Sequence, residues 1–281
     1  MNSVDALPNN ERVIRPKPGL SAINFGELWR YRELFVFLAW RDILVRYKQT
    51  YLGIAWAVLQ PILTTVIFTV VFGKLAKFDN YDVPYPVLTF AALLPWLFFS
   101  NAMSESSTSL VASARIITKV YFPRLIIPAS AVLSGTIDTL IALLILFAMM
   151  LYYGVSFRAQ LMMLPLFFGF AFLAAFAVGI WMSALNVRYR DVRYIVPFFT
   201  RMGMYVTPVG FPSSIVPEKW RFWYSLNPMV GVVDGFRWCV LGANFEPYWT
   251  GLWVSLAVTV ILLVTGLIYF RSTEKTFADV I

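Results

Sequence analysis

The sequence predicts an all-α polytopic membrane protein, and three observations carry that prediction. Of 281 residues, 59% are hydrophobic and only 14% are charged, where a soluble domain is about half apolar and about a quarter charged. Several apolar runs approach the roughly 20 residues that a bilayer-spanning helix requires. Aromatic residues reach 17%, ten of them tryptophan, a side chain suited to the membrane–water interface. The mean hydropathy of +0.70 agrees. The expected architecture is an N-terminal amphipathic interface helix, six transmembrane helices, and re-entrant half-helices between spans five and six.

Residues 1–23 are expected to form a cytoplasmic tail. They are polar, carry Pro8, Pro16 and Pro18, and lack the basic-then-apolar layout of a cleavable signal peptide. Residues 24–49 read as an interface helix. Phe25, Leu28, Trp29, Phe35, Val36, Ala39, Trp40, Ile43, Leu44 and Tyr47 recur at spacings of three and four, with charges largely elsewhere on the wheel. Asn24 and Glu27 have the spacing of a capping box.

Residues 50–270 hold the six predicted spans. The first runs from Tyr51 to Phe72, with Pro61 kinking it rather than ending it. The second, Val87 to Leu110, turns polar at Ser100, Asn101, Ser104, Glu105, Ser106, Ser107 and Thr108, so that half is predicted to face protein or water. A basic connector, Arg115 to Arg124, leads to span three (Leu125 to Tyr153) and span four (Leu161 to Leu185). A tight basic loop, Asn186 to Arg193, precedes span five (Tyr194 to Val209). Residues 210–248 contain Pro212, Pro217, Pro228 and Pro247 between apolar pieces too short to span, the pattern of re-entrant or interfacial half-helices. Span six is Trp249 to Phe270, and 271–281 form a short charged tail.

Charge sets the expected orientation. Lys and Arg number eight before span one, three after span two, three after span four and two in the tail; the opposite loops hold two, one and three. The positive-inside rule then places both termini in the cytoplasm of a cell inner membrane. The net charge of +8 is read the same way, not as a nucleic-acid footprint.

Composition also excludes chemistry. There is no histidine and a single cysteine, Cys239, which removes imidazole catalysis, the usual zinc sites and an intramolecular disulfide. No Walker-type GxxxxGK[ST] loop occurs, so the chain has no usual cradle for ATP phosphates. No catalytic constellation, metal site or resident cofactor is expected. Glu105, Asp138 and Arg201 fall within spans, where an ionised group costs about 2.5–3.5 kcal/mol on insertion scales. A structural ion pair or polar interhelical contact accounts for them as well as a substrate or proton site does.

Four stretches resemble one family. Arg46-Tyr-Lys-Gln-Thr-Tyr-Leu-Gly-Ile-Ala-Trp-Ala-Val-Leu-Gln-Pro61 is similar to the entry to the first span of ABC-2 type polysaccharide exporter permeases. Lys119-Val-Tyr-Phe-Pro-Arg124 resembles the loop between their second and third spans. Asn186 to Tyr194, with Arg190-Asp191, and Ser225-Leu-Asn-Pro-Met229 through Gly235-Phe-Arg237 resemble later landmarks. The match runs in order from about Asn24 to the C-terminus.

The resemblance implies a homodimeric permease bound to two ATPase subunits, which carry ATP and Mg2+, and a polyprenyl-diphosphate-linked glycan such as O-antigen, capsule or teichoic acid as cargo. Arg115, Lys119, Tyr121, Phe122 and Arg124 would then couple to the ATPase, where the alternative is an ordinary basic loop. Arg41, Arg46 and Lys48 would recruit the lipid pyrophosphate, where the alternative is anchoring to anionic headgroups. Tyr51, Trp56, Phe68, Phe72, Phe198, Phe199 and Tyr205 would line the glycan path, or else face lipid and core. Pro212, Trp220, Trp223, Asn227, Pro228 and Arg237 would belong to an outer gate, or else to a long surface loop. A small-molecule ABC-2 permease, a membrane enzyme acting on polyprenyl lipids, and a passive channel or scramblase are the rival classes.

Overall fold

The computed structural model describes residues 25–48, 51–75, 83–242, 245–275 and 277, with the side chains of 25, 27 and 51–54 set apart from that description. The tail at 1–23, the Asn24–Glu27 capping box and the side chain of Tyr51 lie outside the described residues. Among the described residues the structure is helical, with no strand.

The predicted interface helix is two helices, α1 (Phe25–Arg30) and α2 (Arg32–Lys48), separated at Tyr31. Its apolar residues occupy two sides, not the one expected. Leu28, Leu34, Phe35 and Leu38 pack inward, whereas Trp29, Val36, Phe37 and Trp40 are exposed. The inward side rests on α6, a protein neighbour that the helical wheel of an isolated interface helix does not contain.

Span one is α3 (Tyr51–Phe68), continued by π-helical turns at Thr69–Leu75. Pro61 sits inside it without ending it, as predicted. The Thr65 hydroxyl donates to the Pro61 carbonyl at 2.8 Å, part of the local side-chain bonding that membrane helices use around prolines. Span two is α4 (Tyr85–Ala112), with Pro86 in the first turn, where a missing N–H leaves no bond unmade.

A single-turn helix, α5 (Ala114–Ile117), opens the connector. Span three is broken at Gly135 into α6 (Ile126–Ser134) and α7 (Thr136–Tyr152). After α7 the chain turns at Gly154, φ +69°, and Val155 N–H donates to Met150 at 2.9 Å. That 6→1 bond over a left-handed glycine is a Schellman cap.

A 3₁₀ turn at Ala159–Met163 leads into α8 (Leu164–Arg188). The expected loop at Asn186 is therefore still helix: Asn186 is buried and donates to the Ser107 carbonyl at 2.9 Å. Next come α9 (Val192–Val206), α10 (Glu218–Tyr224), α11 (Pro228–Leu241) and α12 (Trp249–Glu274).

Five of these segments are long and apolar enough to cross a bilayer: Ala55–Leu75, Tyr85–Ala112, Ile126–Tyr152, Ala159–Arg188 and Trp249–Glu274. The fifth predicted span, α9, has 15 residues, about 22 Å at 1.5 Å per residue, shorter than the roughly 30 Å hydrocarbon core.

Helix α4 is the centre of the bundle. It packs against α8, α6, α11, α7, α3 and α9, and its predicted protein-facing polar half is largely enclosed, with Ser106 and Ser107 buried. The main core runs through α4, α7, α8 and α11. A second cluster gathers Leu38, Leu110, Phe122, Ile126, Val187 and Phe270 at one end. The interface helix, the connector, the end of α8 and the end of α12 therefore share that end, the grouping that the loop charges predict.

Candidate functional site

One group of long-range polar contacts lies between α2, α4 and α7. The Arg46 guanidinium donates to Glu105 and to Asp138, and the Tyr47 hydroxyl donates to the second Asp138 oxygen. Ser134 Oγ donates to the free Glu105 oxygen at 3.3 Å. Burial works against the Arg46 charge, but the two carboxylates outweigh it and raise its pKa. A single cation thus holds an interface helix to two spans. The mid-span carboxylates that composition flagged as costly are paired here.

This network forms one wall of a cavity of about 300 Å3 between α3, α4 and α7. Trp56 and Gln60 line it from α3, Asn101 and Glu105 from α4, Asp138 from α7, and Arg46 from α2. Trp56 and Gln60 are four residues apart, as are Asn101 and Glu105, so each pair shares one helix face.

Of the residues expected to recruit the lipid pyrophosphate, Arg41 pairs with neighbouring Asp42 at 2.7 Å, Arg46 is held by two carboxylates, and Lys48 is exposed. Two of these three basic residues are thus paired with carboxylates. The acidic partners of Arg46 sit 59 and 92 positions away, beyond any local sequence signal.

The connector separates into two groups. Arg115, Lys119 and Tyr121 are exposed, Tyr121 at 73%. Phe122 is 4% exposed within the second core cluster, and Arg124 donates from its backbone and side chain to Glu274 at the end of α12. The expected exposed aromatic pair is thus one exposed ring and one core ring. Adjacent residues on a tight connector point in different directions, and burying Phe122 satisfies the apolar one.

The path aromatics divide in the same manner. Trp56, Phe198, Phe199 and Tyr205 are exposed, while Phe68 is 4% exposed and packs in the core. Phe68 stacks on Tyr205 with centroids 6.4 Å apart and touches Phe72 at 5.2 Å, which brings α3 beside α9. Arg201 is exposed on α9.

In the gate region, Trp220 and Trp223 are exposed and Pro212 is buried. Asn227 caps α11, its Oδ1 accepting from Met229 N–H at 3.0 Å, with Pro228 at the first helical position. Its amide also donates to Thr207 Oγ1 at 2.9 Å. Arg237 is 0% exposed and donates to the carbonyls of Val209 at 2.8 Å and Phe211 at 2.9 Å, and at 3.4 Å to Leu88. It is a pin between α11, α4 and the segment after α9. Small residues bring α11 into close contact: Gly231 lies against Ser255 and Gly235 against Phe167.

Comparison with known proteins agrees with this arrangement. The chain is similar to two proteins named O-antigen export system permease protein RfbA. One, from Klebsiella pneumoniae, is 29% identical, over 92% of this chain and 97% of that protein. The other, from Myxococcus xanthus, is 27% identical, over 90% and 97%. It is also 22% identical to the polysialic acid transport protein KpsM of Escherichia coli, over 84% of this chain and 91% of the relative. The family described as ABC-2 type transporter matches residues 33–241, from the start of α2 to the end of α11, and the chain belongs to that family.

Proposed function

We propose that this chain is the membrane permease of an exporter that moves lipid-linked polysaccharide, O-antigen foremost, from the cytoplasmic face of the inner membrane to its outer face. The observation that carries the reading is the extent of the similarity: relatives named for O-antigen export align with this chain over nearly their whole length. The all-helical bundle with several apolar spans suits that role.

In this reading the chain performs no bond chemistry. Two ATPase subunits supply the energy, and two copies of the permease enclose the path. The sparsely buried span α3 and the exposed aromatic side of α9 are among the surfaces available to a second copy or to lipid. The end that gathers α2, the connector and the close of α12 faces the cytoplasm, in keeping with its basic loops. Arg115, Lys119 and Tyr121 form the exposed part of the connector that would seat on the ATPase. Lys48 and neighbouring basic side chains would meet the lipid pyrophosphate.

Deletion of the gene tests the proposal. The expected result is loss of surface polysaccharide with accumulation of polyprenyl-linked polymer inside the cell. Normal surface polymer without accumulation would overturn the glycan reading and favour a small-molecule cargo.

A further inference from the structure

Asp234 lies within α11, 3% exposed, and its Oδ1 has no hydrogen-bond partner among the described residues. Its side chain lines a cavity of about 10 Å3, with Ser213, Arg221, Tyr224, Ser225 and Tyr248 around it. That volume is close to the roughly 10–15 Å3 that a single water needs. The cavity stands at the end of the bundle away from the connector, since neighbouring Arg237 reaches Leu88 in the first turn of α4.

The donors around the cavity are directed elsewhere. Tyr224 donates its hydroxyl to the Val206 carbonyl at 2.7 Å, and Ser225 donates to the Arg221 carbonyl at 2.8 Å. Arg221 turns Nε and Nη2 to the carbonyls of Val216 and Ser214, both at 3.0 Å. Ser213 serves the carboxyl, and Oδ1 is left unserved. A buried carboxylate oxygen without a donor is costly, and the cost falls when that oxygen carries a proton and becomes a donor itself. One water enclosed in the cavity would accept from it.

The charged and titratable groups near Asp234 are Arg221 and Tyr224 from α10, Tyr248 just before α12, and Arg237 from its own helix. From α4 comes Tyr85, whose hydroxyl donates to the Gly210 carbonyl. Helix α8 also packs on α11, but its one charged residue, Arg188, is at its far end, and the turn at Ala159–Met163 has none. Burial pushes the Asp234 carboxyl up to about 6, against the Ser213 hydroxyl and the Arg237 charge, which pull it down.

We propose that Asp234 is a proton-binding site beside a water-sized cavity, and that its proton sets how firmly α10 and α11 close on one another. The closed carboxyl holds its proton more tightly than an exposed one, so closure is favoured at low pH. That gain is complete below the ordinary carboxyl range, about 4, and is lost as pH rises through about 6. The inference stands whatever cargo crosses.

The test uses the permease with its ATPase subunit in nanodiscs. The sole cysteine, Cys239, is buried on α11, so its alkylation, followed by mass spectrometry from about pH 5 to about pH 7, reports opening of that helix. Dividing the wild-type rate by that of Asp234→Asn removes the thiol's own pH dependence. The ratio is expected to rise about tenfold over this interval, as for a carboxyl titrating near 6 when closed and near 4 when open. Ser213→Ala removes a hydroxyl that favours the charged form and is expected to move the rise to higher pH. Infrared difference spectra are expected to show a protonated carboxyl below about pH 6 that Asp234→Asn lacks. A flat ratio, or absence of that carboxyl signal, overturns the proposal. A ratio that follows sodium concentration at fixed pH and ionic strength assigns the cavity to a metal cation and overturns it equally.

Discussion

Arg46 and Asp138 lie 92 positions apart and are joined side chain to side chain, with Glu105 closing on the same guanidinium. The pairing joins the interface helix to spans two and three.

Arg46→Ala leaves two carboxylates facing each other. Breaking a fully buried pair costs about 3–5 kcal/mol. These side chains retain 24–36% exposure, so about 1–3 kcal/mol is expected, since exposed pairs contribute far less. Thermal unfolding in detergent measures it, and adding Glu105→Gln with Asp138→Asn should restore most of the loss. Failure of that restoration would show that Arg46 acts through packing and not charge.

Arg237→Met should destabilise the fold by about 3 kcal/mol, because hydrogen bonds to a charged donor contribute about 1.5–3 kcal/mol and the orphaned carbonyls remain buried. Arg237→Lys should recover only part, since an ammonium lacks the planar fork that reaches Val209 and Phe211 together. Melting temperatures of the three proteins would order them wild type, Lys, Met.

Gly235→Ala places a Cβ 2.0 Å from the Phe167 ring. Overpacking of this kind costs about 1–3 kcal/mol. The combination with Phe167→Leu should regain stability, and unchanged melting of the single variant would mean the ring moves freely aside.

The two halves of the connector should behave differently. Arg115→Glu with Lys119→Glu is expected to leave melting unchanged and to uncouple ATP hydrolysis from transport in proteoliposomes. Phe122→Ala is expected to lower stability by about 3 kcal/mol, as for a buried aromatic truncated to alanine. Intact coupled turnover in the charge-reversed protein would place ATPase docking elsewhere.

Span order, the basic connector, the persistence of span one through Pro61 and the broken character of residues 210–248 were all legible in the sequence. Each is a local property: a hydropathy run, a count of Lys and Arg, a proline at a helix start. Span five, expected from Tyr194 to Val209, is the helix Val192–Val206, after which the chain turns to meet Arg237 and Asn227.

By itself, the sequence determined that this is a helical membrane protein, the order of its apolar runs, and which segments are too polar or too interrupted to lie in lipid. Only the tertiary structure decided that Arg46 is neutralised, that Phe122 and Phe68 are core residues while Tyr121 and Tyr205 are exposed, and that Arg237 pins a half-helix to backbone carbonyls. The physical reason is that burial in lipid depends on hydrophobicity summed along one helix. The direction each side chain faces depends on helix rotation, which packing against distant helices sets.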